Sequence, residues 1–571
     1  MRNVLHQLLL AALIVTASLV ASLATLGASG QEASTSEDAA DLIFRQGVFY
    51  PVEPAEPVEG SLAVKDGRIV YLGSDAGAER LRGPSTEVVE LGGRTVTPGL
   101  IDAHSHLEGL GLALETVDLG GANSYQEVID RLAAAARELP SGTWVQGRGW
   151  DQNRWPEQQF PHHDALSGAL PEHPVWATRV DGHAVLVNAL AMETLGITAE
   201  VEDPSGGRFL RDAEGQPTGV LIDNAIKAVA DQLPEPSAAD LERRLQRAAE
   251  HCLARGLTTV TDMGIGTPVY QAYRNLRERD ELSLRAALFL TDDAGLLRQW
   301  FERGPEIDPQ ARLQVRGIKL YADGALGSRG AALVEPYTDD PGNLGLLTTN
   351  GDAVEATARR ALDTGFQVGI HTIGDRGALV ALDALERAFG GEPQRAARFR
   401  LEHAQVMRLA DIQRMADLGI IASMQPTHAT SDMPWAEARV GARRILGAYA
   451  WQRMRAAGVP LALGSDFPVE SADPRLGLYA AVTRQDLDGM PSDGWYVDQS
   501  LTRPQALAGF TLDAAHSLFL EDEVGSLSVG KRADLVVFER DIMTVPEEEI
   551  PQVEITMTVV DGRIVYRREG S

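Results

Sequence analysis

Apolar positions in the middle of the chain alternate between short continuous runs and longer amphipathic stretches. Continuous runs are typical of strands buried in a parallel sheet, and helical periodicity is typical of the helices that cover it. The amphipathic stretches include 352–364, 376–389 and 408–417. The apolar runs lie at 96–104, 257–263, 284–290, 316–321, 367–371, 398–402, 419–424 and 460–464. Eight strand–helix units predict an α/β fold, a (β/α)8 TIM barrel.

The two ends of the chain have a different, β-rich pattern. The hexapeptide DGRIVY occurs twice, at 66–71 and 561–566, and each copy has Asp-Gly between two β-rich runs. Asp-Gly in this position is a strong signal for a tight hairpin. We therefore predict that both ends form one small β-sandwich domain beside the barrel. The predicted domains are 31–97 with 525–571 for the β domain, and 98–524 for the barrel.

A long segment, 107–256, separates the first two barrel strands. It lacks the sustained strand–helix alternation of the rest of the middle region. We predict that it is an insertion after the first strand, built over the barrel mouth.

Residues 1–30 form a separate segment. An apolar run from Leu8 to Leu26 follows Arg2, and small residues end at Gly30, where a signal peptidase would cut. These features predict a cleaved signal peptide and export to the periplasm or the outside of the cell. The alternative is an uncleaved N-terminal membrane anchor, because the run is nearly long enough to span a bilayer.

Charge and cysteine content limit the function classes. Acidic residues outnumber basic ones, 81 to 52, and the net charge of −29 argues against nucleic acid or an anionic membrane surface as a partner. The only cysteine, Cys252, excludes an intrachain disulfide. A small molecule is the expected partner, and the sequence leaves open whether the chain forms a homo-oligomer.

Polar side chains of metal-ligand type stand at the ends of five predicted strands. His104 and His106 are two residues apart and share one face of the first strand. A single strand-end histidine is more often a hydrogen-bonded core residue, and a lone strand lysine usually marks a solvated edge. The whole set differs because the carboxyl ends of barrel strands meet at one mouth. The set, which suits zinc or a similar ion, is His104, His106, Lys319, His371, His403 and Asp466.

These residues lie in motifs that resemble the amidohydrolase superfamily, and within it the YtcJ-like branch with the N-substituted formamide deformylases. The similarity covers nearly everything after residue 30. The motifs that carry it are VTPGLIDAHSH at 96–106, IKLYADGALGS at 318–328, HTIGD at 371–375, LEHA at 401–404, GSD at 464–466 and DEVGSLSVGKRADLVV at 522–537.

The resemblance implies a role for each strand-end residue. His104 and His106 would bind the more buried of two Zn²⁺ ions, and His371 and His403 the second. Lys319 would be carbamylated and bridge both ions, whereas an unmodified Lys319 paired with an acid would favour a single ion. Asp466 would bind metal and act as the catalytic base and acid.

Further motifs of the branch predict contacts to the substrate. Two lie in the insertion, at 147–155 and 179–184, and within them His183 is the preferred polar contact. Alternatively, Trp150 is an aromatic residue of the core, and Arg154 forms an ion pair at the surface. The predicted substrate-binding residues are His183, Asp181, Trp150, Arg154, Asp323, Arg329 and His428.

Together these features predict metal-dependent hydrolysis of a carbon–nitrogen bond in a non-peptide amide or formamide. Lactone or ester hydrolysis on the same barrel is one alternative, and a non-catalytic exported binding protein is another. Deamination at a one-metal site normally needs His-x-x-Glu after the fifth strand. Here His371 is followed by Thr-Ile-Gly, so the pattern that a one-metal deaminase would need is absent.

Overall fold

The computed structural model describes residues 39–137, 139–230, 232–233 and 235–569. The predicted signal peptide at 1–30 lies outside the described residues. Among those that are described, no helix is both long and apolar enough to cross a membrane.

Strands are numbered along the chain. The N-terminal strands are β1 (Ala40–Phe49), β2 (Val58–Lys65), β3 (Arg68–Gly73), β4 (Arg82–Glu90) and β5 (Thr95–Pro98). The first barrel strand is β6 (Leu100–Ser105). The insertion contributes β7 (Val117–Asp118), β8 (Val145–Trp150), β9 (Val175–Arg179), β10 (Ala184–Val187), β11 (Gly207–Arg211) and β12 (Pro217–Asp223). The remaining strands are β13 (Leu257–Ile265), β14 (Arg285–Leu290), β15 (Glu306–Ile307), β16 (Leu313–Tyr321), β17 (Gln367–Thr372), β18 (Arg400–His403), β19 (Ile421–Met424), β20 (Leu461–Leu463), β21 (Leu535–Phe538), β22 (Ile555–Val560) and β23 (Arg563–Arg567).

Helices connect and cover these strands. They are Asp75–Glu79, Leu107–Ala113, Tyr125–Ala136, His163–Ala169, Ala189–Thr194, Asn224–Ala230, Ala238–Leu253, Thr267–Glu278, Ala294–Arg303, Gly351–Thr364, Asp375–Phe389, Leu409–Leu418, Pro426–Asp432, Ala436–Arg444, Trp451–Ala456, Pro474–Thr483, Arg503–Gly509 and Leu512–Ser517.

The predicted barrel is confirmed. Eight parallel strands pair in the order β6-β13-β14-β16-β17-β18-β19-β20, and β15 pairs with β16 at the side. Every apolar run named from the sequence overlaps one of these strands. One run is split, because Pro98 and Gly99 end β5 before β6 begins, and β5 pairs with β21 instead. Proline lacks the N–H that a continuous ladder would need.

The strands β6 and β20 stand at the two ends of this order, and residues after β20 bridge them. The backbone N–H of Asp466 donates to the carbonyl of His104 at 2.7 Å. The buried carboxylate of Asp102 accepts from the N–H and the hydroxyl of Ser465, at 3.1 and 2.6 Å. These bonds close the barrel and place the end of β20 directly beside the end of β6.

The two ends of the chain form one eight-stranded sheet, in the order β3-β2-β1-β5-β21-β22-β23 with β4 pairing β1. Both predicted hairpins are present. In each turn the Asp and the Gly have positive φ, 51° and 75° at Asp66-Gly67 and 50° and 70° at Asp561-Gly562, as a type I′ turn requires. The turns touch, because a Cβ on Gly67 would lie 2.9 Å from the carbonyl oxygen of Asp561.

The insertion forms a module with its own sheet, in the order β11-β12-β10-β9-β8-β7. Apolar clusters that contain Leu132 and Val187 fill the two sides of this sheet. The first and last helices of the segment, Leu107–Ala113 and Ala238–Leu253, instead bury their apolar faces in the barrel core. The module that is separate from the barrel is therefore shorter than the predicted range 107–256.

A buried arginine joins the barrel to the end sheet. Arg285 on β14 is fully buried and donates to both oxygens of Asp534, at 2.7 and 2.9 Å. It also binds Asp561, which lies in the turn between β22 and β23. The guanidinium thus balances carboxylates that would otherwise be buried as uncompensated charges.

We expect Arg285→Met to lower the free energy of unfolding by about 3–5 kcal/mol, because it leaves Asp534 buried without its cation. The shift of the urea unfolding midpoint measures this loss. The control is Arg563→Gln, since the Arg563–Asp280 pair is 72% and 66% exposed and should contribute less than about 1 kcal/mol. Equal midpoints for the two variants would contradict the assignment of Arg285 as the joint.

Candidate active site

All six strand-end residues line one cavity of about 420 Å³ at the carboxyl ends of the barrel strands. They come from β6, β16, β17, β18 and the turn after β20. The polarity of the parallel strands brings them together across more than half of the chain. The insertion supplies the opposite wall of the cavity, through residues that include Asp181 and His183.

Three of these side chains form a group with metal-ligand geometry. Nε2 of His106 lies 3.3 Å and Nε2 of His104 lies 3.5 Å from Oδ1 of Asp466. Tetrahedral ligands about 2.0 to 2.1 Å from one zinc ion stand roughly 3.3 Å apart. Oδ1 of Asp466 is buried and has no hydrogen-bond partner among the described residues. The group therefore fits a divalent cation.

A second set surrounds the other oxygen of Asp466. Nε2 of His428 lies 3.8 Å and Nδ1 of His403 lies 4.0 Å from Oδ2. The rings of His371 and His403 are 4.6 Å apart, so His371 borders the same space. Nε2 of His428 is also buried without a hydrogen-bond partner in the described part of the chain. These imidazoles offer donors for a second cation.

Lys319 lies between the two sets. Its Nζ is 3.0 Å from Nε2 of His104 and 5.0 Å from the centre of the Tyr321 ring. No ion pair links it to a carboxylate of the described residues within 4.0 Å. Burial lowers the pKa of Lys319 to about 8. A partly neutral amine is the form that can react with carbon dioxide.

A buried ion pair orients His104. Glu402 accepts from Nδ1 of His104 at 2.6 Å and from Nε and Nη2 of Arg400, both at 2.7 Å. The carboxylate fixes the proton of His104 on Nδ1, which leaves the lone pair of Nε2 directed into the cavity. Carbonyl oxygens orient two further rings, that of Met263 at His106 and that of Gln425 at His403.

Burial keeps His104, His371 and His403 neutral, which is the form that binds metal. It lowers the pKa of His104 to about 4, and it lowers the pKa values of His371 and His403 well below the usual range. Burial alone would raise the pKa of Asp466, but the nearby imidazoles, His104 first, outweigh it and hold that pKa well below its usual value. Asp466 is therefore a carboxylate at neutral pH.

Two of these residues have strained backbones. His403 and Asp466 have φ values of 68° and 61°, in the left-handed region that side chains other than glycine rarely adopt. Such strain persists only where the surroundings over-determine it, and it is common at functional sites. Here it turns the residues that follow the strands toward the cavity.

Three of the predicted substrate contacts line the cavity. Nδ1 of His183 lies 2.6 Å from Oδ1 of Asp223, and the ring of His183 is 5.1 Å from that of His371. Asp181 accepts from the N–H of His183 at 3.0 Å. Asp323 reaches the cavity, but its two oxygens accept from backbone N–H groups at Ala332, Ile373 and Gly374. It holds the loops around β17 in position.

The other four lie elsewhere. Trp150 is fully buried in the core of the insertion and donates to the carbonyl of Ala177. Arg154 is exposed, and Arg329 binds Asp339 at 3.0 Å; neither lines the cavity. His428 belongs with the metal-type donors around Asp466. A strand-end or loop position in the sequence cannot show which way such a side chain points.

Sequence reasoning did not identify several residues of the cavity wall. Arg148, Asp223 and Lys227 come from the insertion, which lacks a sustained strand–helix alternation in its sequence. Arg148 lies in the motif at 147–155, two residues before Trp150, the predicted contact. Glu402 was visible in the LEHA motif, but nothing in the sequence showed its contact with His104.

Comparison with known proteins agrees with this geometry. The chain is 32% identical over 540 residues to Protein LONG AFTER FAR-RED 3 of Arabidopsis thaliana, with 92% of each chain covered. It is 30% identical to the putative amidohydrolase YtcJ of Bacillus subtilis, with 91% of this chain and 98% of the relative covered. It is also 30% identical to an N-substituted formamide deformylase of Arthrobacter pascens, with 93% and 99% covered.

A solved structure shows the same architecture. An uncharacterized metal-dependent hydrolase from Pyrococcus horikoshii superposes with a TM-score of 0.73 at 29% identity, covering 89% of this chain and 99% of that one. The sequence profile of the amidohydrolase family matches residues 87–566, which include the whole barrel, the insertion and the end-sheet strands β5, β21 and β22. The resemblance found in the sequence motifs is confirmed, and the chain belongs to the amidohydrolase family.

Proposed function

We propose that the protein is a metal-dependent hydrolase that cleaves the carbon–nitrogen bond of a non-peptide amide or formamide. The observation that carries this proposal is the convergence of buried, neutral imidazoles on an ionised Asp466 with an unpartnered oxygen. A relative at 30% identity is named an N-substituted formamide deformylase, which supports a carbon–nitrogen substrate. Ester or lactone hydrolysis is the nearest alternative, since the same attack reaches either carbonyl.

The donors on the two sides of Asp466 would hold Zn²⁺. His104, His106 and Asp466 would bind one ion, and His371 and His403 would bind a second with a carbamate formed on Lys319. His428 would complete the second set or stay a neighbour of the substrate. Imidazole with carboxylate is the donor set that zinc prefers in proteins.

A divalent cation held at this site lowers the pKa of a water from about 15.7 toward about 7 and polarises a substrate carbonyl. The residues of the chain supply the proton transfers. Asp466 accepts a proton from the attacking water and returns it to the leaving nitrogen, so that the amine departs neutral.

His183 stands in the opposite wall. Asp223 raises the pKa of His183 against the opposing effect of burial, because its carboxylate takes the hydrogen bond from Nδ1. The Nε2–H can then donate to the oxygen that becomes negative as the carbonyl is attacked. Substrate is thus held between the metal-binding strand ends and the insertion.

We expect Asp466→Asn to reduce kcat by about 10²- to 10⁴-fold, because the amide cannot accept the proton of the water. The measurement is turnover of a panel of N-formyl and N-acyl amides, with circular dichroism to check folding. The matched control is Asp352→Asn, since Asp352 is fully exposed. Full activity of the Asp466 variant would refute its assignment as the base.

Removal of metal should abolish turnover, and Zn²⁺ should restore it, because the attacking water is not nucleophilic at neutral pH without a cation. Metal analysis of the purified protein and of a chelated sample, each assayed on the same amide panel, tests this. Metal-loaded protein without turnover of any amide or ester would favour a binding protein instead.

Metal loading should depend on carbon dioxide if Lys319 carries a carbamate. We expect chelated protein to regain activity several-fold faster with Zn²⁺ and bicarbonate than with Zn²⁺ in a buffer free of carbon dioxide. Lys319→Met should bind about one ion fewer and lose the bicarbonate effect. Equal rates with and without bicarbonate would favour an unmodified lysine and a one-ion site.

A further inference from the structure

The carboxylates in the cavity wall already have partners. Aside from Asp466, each accepts from a cation, a hydroxyl or backbone amides of this chain. The pairs are Asp181 with Arg179 at 2.6 Å, Asp223 with His183 at 2.6 Å, Glu108 with Arg244 at 2.8 Å, Asp262 with the Tyr273 hydroxyl at 2.8 Å, and Asp323 with three backbone N–H groups. Each of these carboxylates thus has a partner within the chain, although Oδ2 of Asp223 is buried without one among the described residues.

Arg148, on β8, differs from these residues. Its guanidinium lines the cavity next to Gly182 and donates from Nη2 to the carbonyl of Val180 at 3.1 Å. No carboxylate of the described residues lies within 4.0 Å of it. Its Nε is buried and has no hydrogen-bond partner in the described ranges. Most of the donor capacity of this side chain therefore remains free.

An arginine in such a position is costly without an anion. Burial lowers the pKa of Arg148, and Asp181 and Asp466 offset this effect only in part. The five N–H donors of guanidinium form a planar fork that matches a carboxylate in two parallel bonds. A carboxylate on a ligand would accept hydrogen bonds from the free N–H donors of Arg148 and would also balance the charge of its guanidinium.

A second cation lines the same cavity. Lys227, on the helix Asn224–Ala230, is exposed, and its Nζ lies 5.0 Å from the centre of the Tyr321 ring. Lys319 approaches the same ring at 5.0 Å, so Lys227 and one of the strand-end residues contact one aromatic side chain. Arg148, Lys227 and Lys319 are the arginine and lysine side chains of the cavity lining, which also contains six carboxylates.

We propose that the substrate is an anionic amide, and that Arg148 binds a carboxylate on the part of the molecule that faces the insertion. Lys227 attracts the same anion at the entrance. This inference rests on the proposed amide hydrolysis and makes it more specific. Arg148 thereby selects acylated or formylated amino acids over acylated or formylated simple amines.

The test compares two substrates that differ only in the carboxylate, N-formylphenylalanine in both enantiomers and N-formylphenethylamine. We expect the intact enzyme to prefer one enantiomer of the anionic amide in kcat/KM. Arg148→Met should lower kcat/KM for that amide by about 10- to 100-fold, the range for a hydrogen bond to a charged group. The value for the neutral amide should stay within about twofold, which also shows that the variant folds.

Two other variants serve as comparisons. Arg154→Met removes an exposed arginine of the same module that does not line the cavity, and it should leave the preference unchanged. Lys227→Met should weaken the preference for the anionic amide by a smaller factor. This effect should disappear at high salt, because exposed charges are screened. A wild-type preference for the neutral amide, or an anion preference that survives Arg148→Met, would overturn the proposal.

Binding separates this inference from the proposed reaction. Calorimetry with phenylmethanesulfonate and its neutral analogue benzyl methyl sulfone reports on the anion without any turnover. Loss of sulfonate binding in Arg148→Met alone would support the anion subsite even if every amide proved inert, in which case only the hydrolase proposal fails. If the wild type does not bind the sulfonate, or if the wild type and Arg148→Met bind it equally well, the role of Arg148 is contradicted.

Discussion

The contact between β6 and the turn after β20 is the constraint on which the site depends. Asp102 accepts from Ser465, and the N–H of Asp466 donates to the carbonyl of His104. These bonds close the barrel at the junction between the first and last strands of its order. They also fix Asp466 beside His104 and His106. The contacts that close the barrel therefore also bring the metal-type donors together.

Burial then sets the chemistry of the donors. Withdrawal from water disfavours the imidazolium form, and it leaves His104, His371 and His403 neutral. The same burial would protonate Asp466, but the surrounding imidazoles prevent it. The result is a set of imidazole lone pairs around one carboxylate, which a divalent cation can bind together. The Arg400–Glu402 pair behind His104 keeps one of these lone pairs aimed at the cavity.

The insertion supplies what the barrel lacks. The ends of the barrel strands contribute the metal-type donors. The insertion contributes Arg148 on β8, and Asp181 and His183 in the turn between β9 and β10. In the proposed reaction, this division separates the metal-type donors from the groups that contact the substrate. A change of loops in the insertion can therefore alter which substrate is accepted while the metal-binding strand ends stay as they are.

The sequence by itself determined the barrel, the two Asp-Gly hairpins and the six strand-end residues, because these follow from local periodicity and from the common polarity of parallel strands. It could not place Trp150, Arg154 or Arg329, nor find Arg148 and Glu402. The roles of those side chains depend on the face of the inserted sheet on which they lie, or on the neighbouring strand that they contact. Such contacts join residues that are far apart in the chain. They form only when the layers of the structure pack, because a buried charge without a partner is energetically costly.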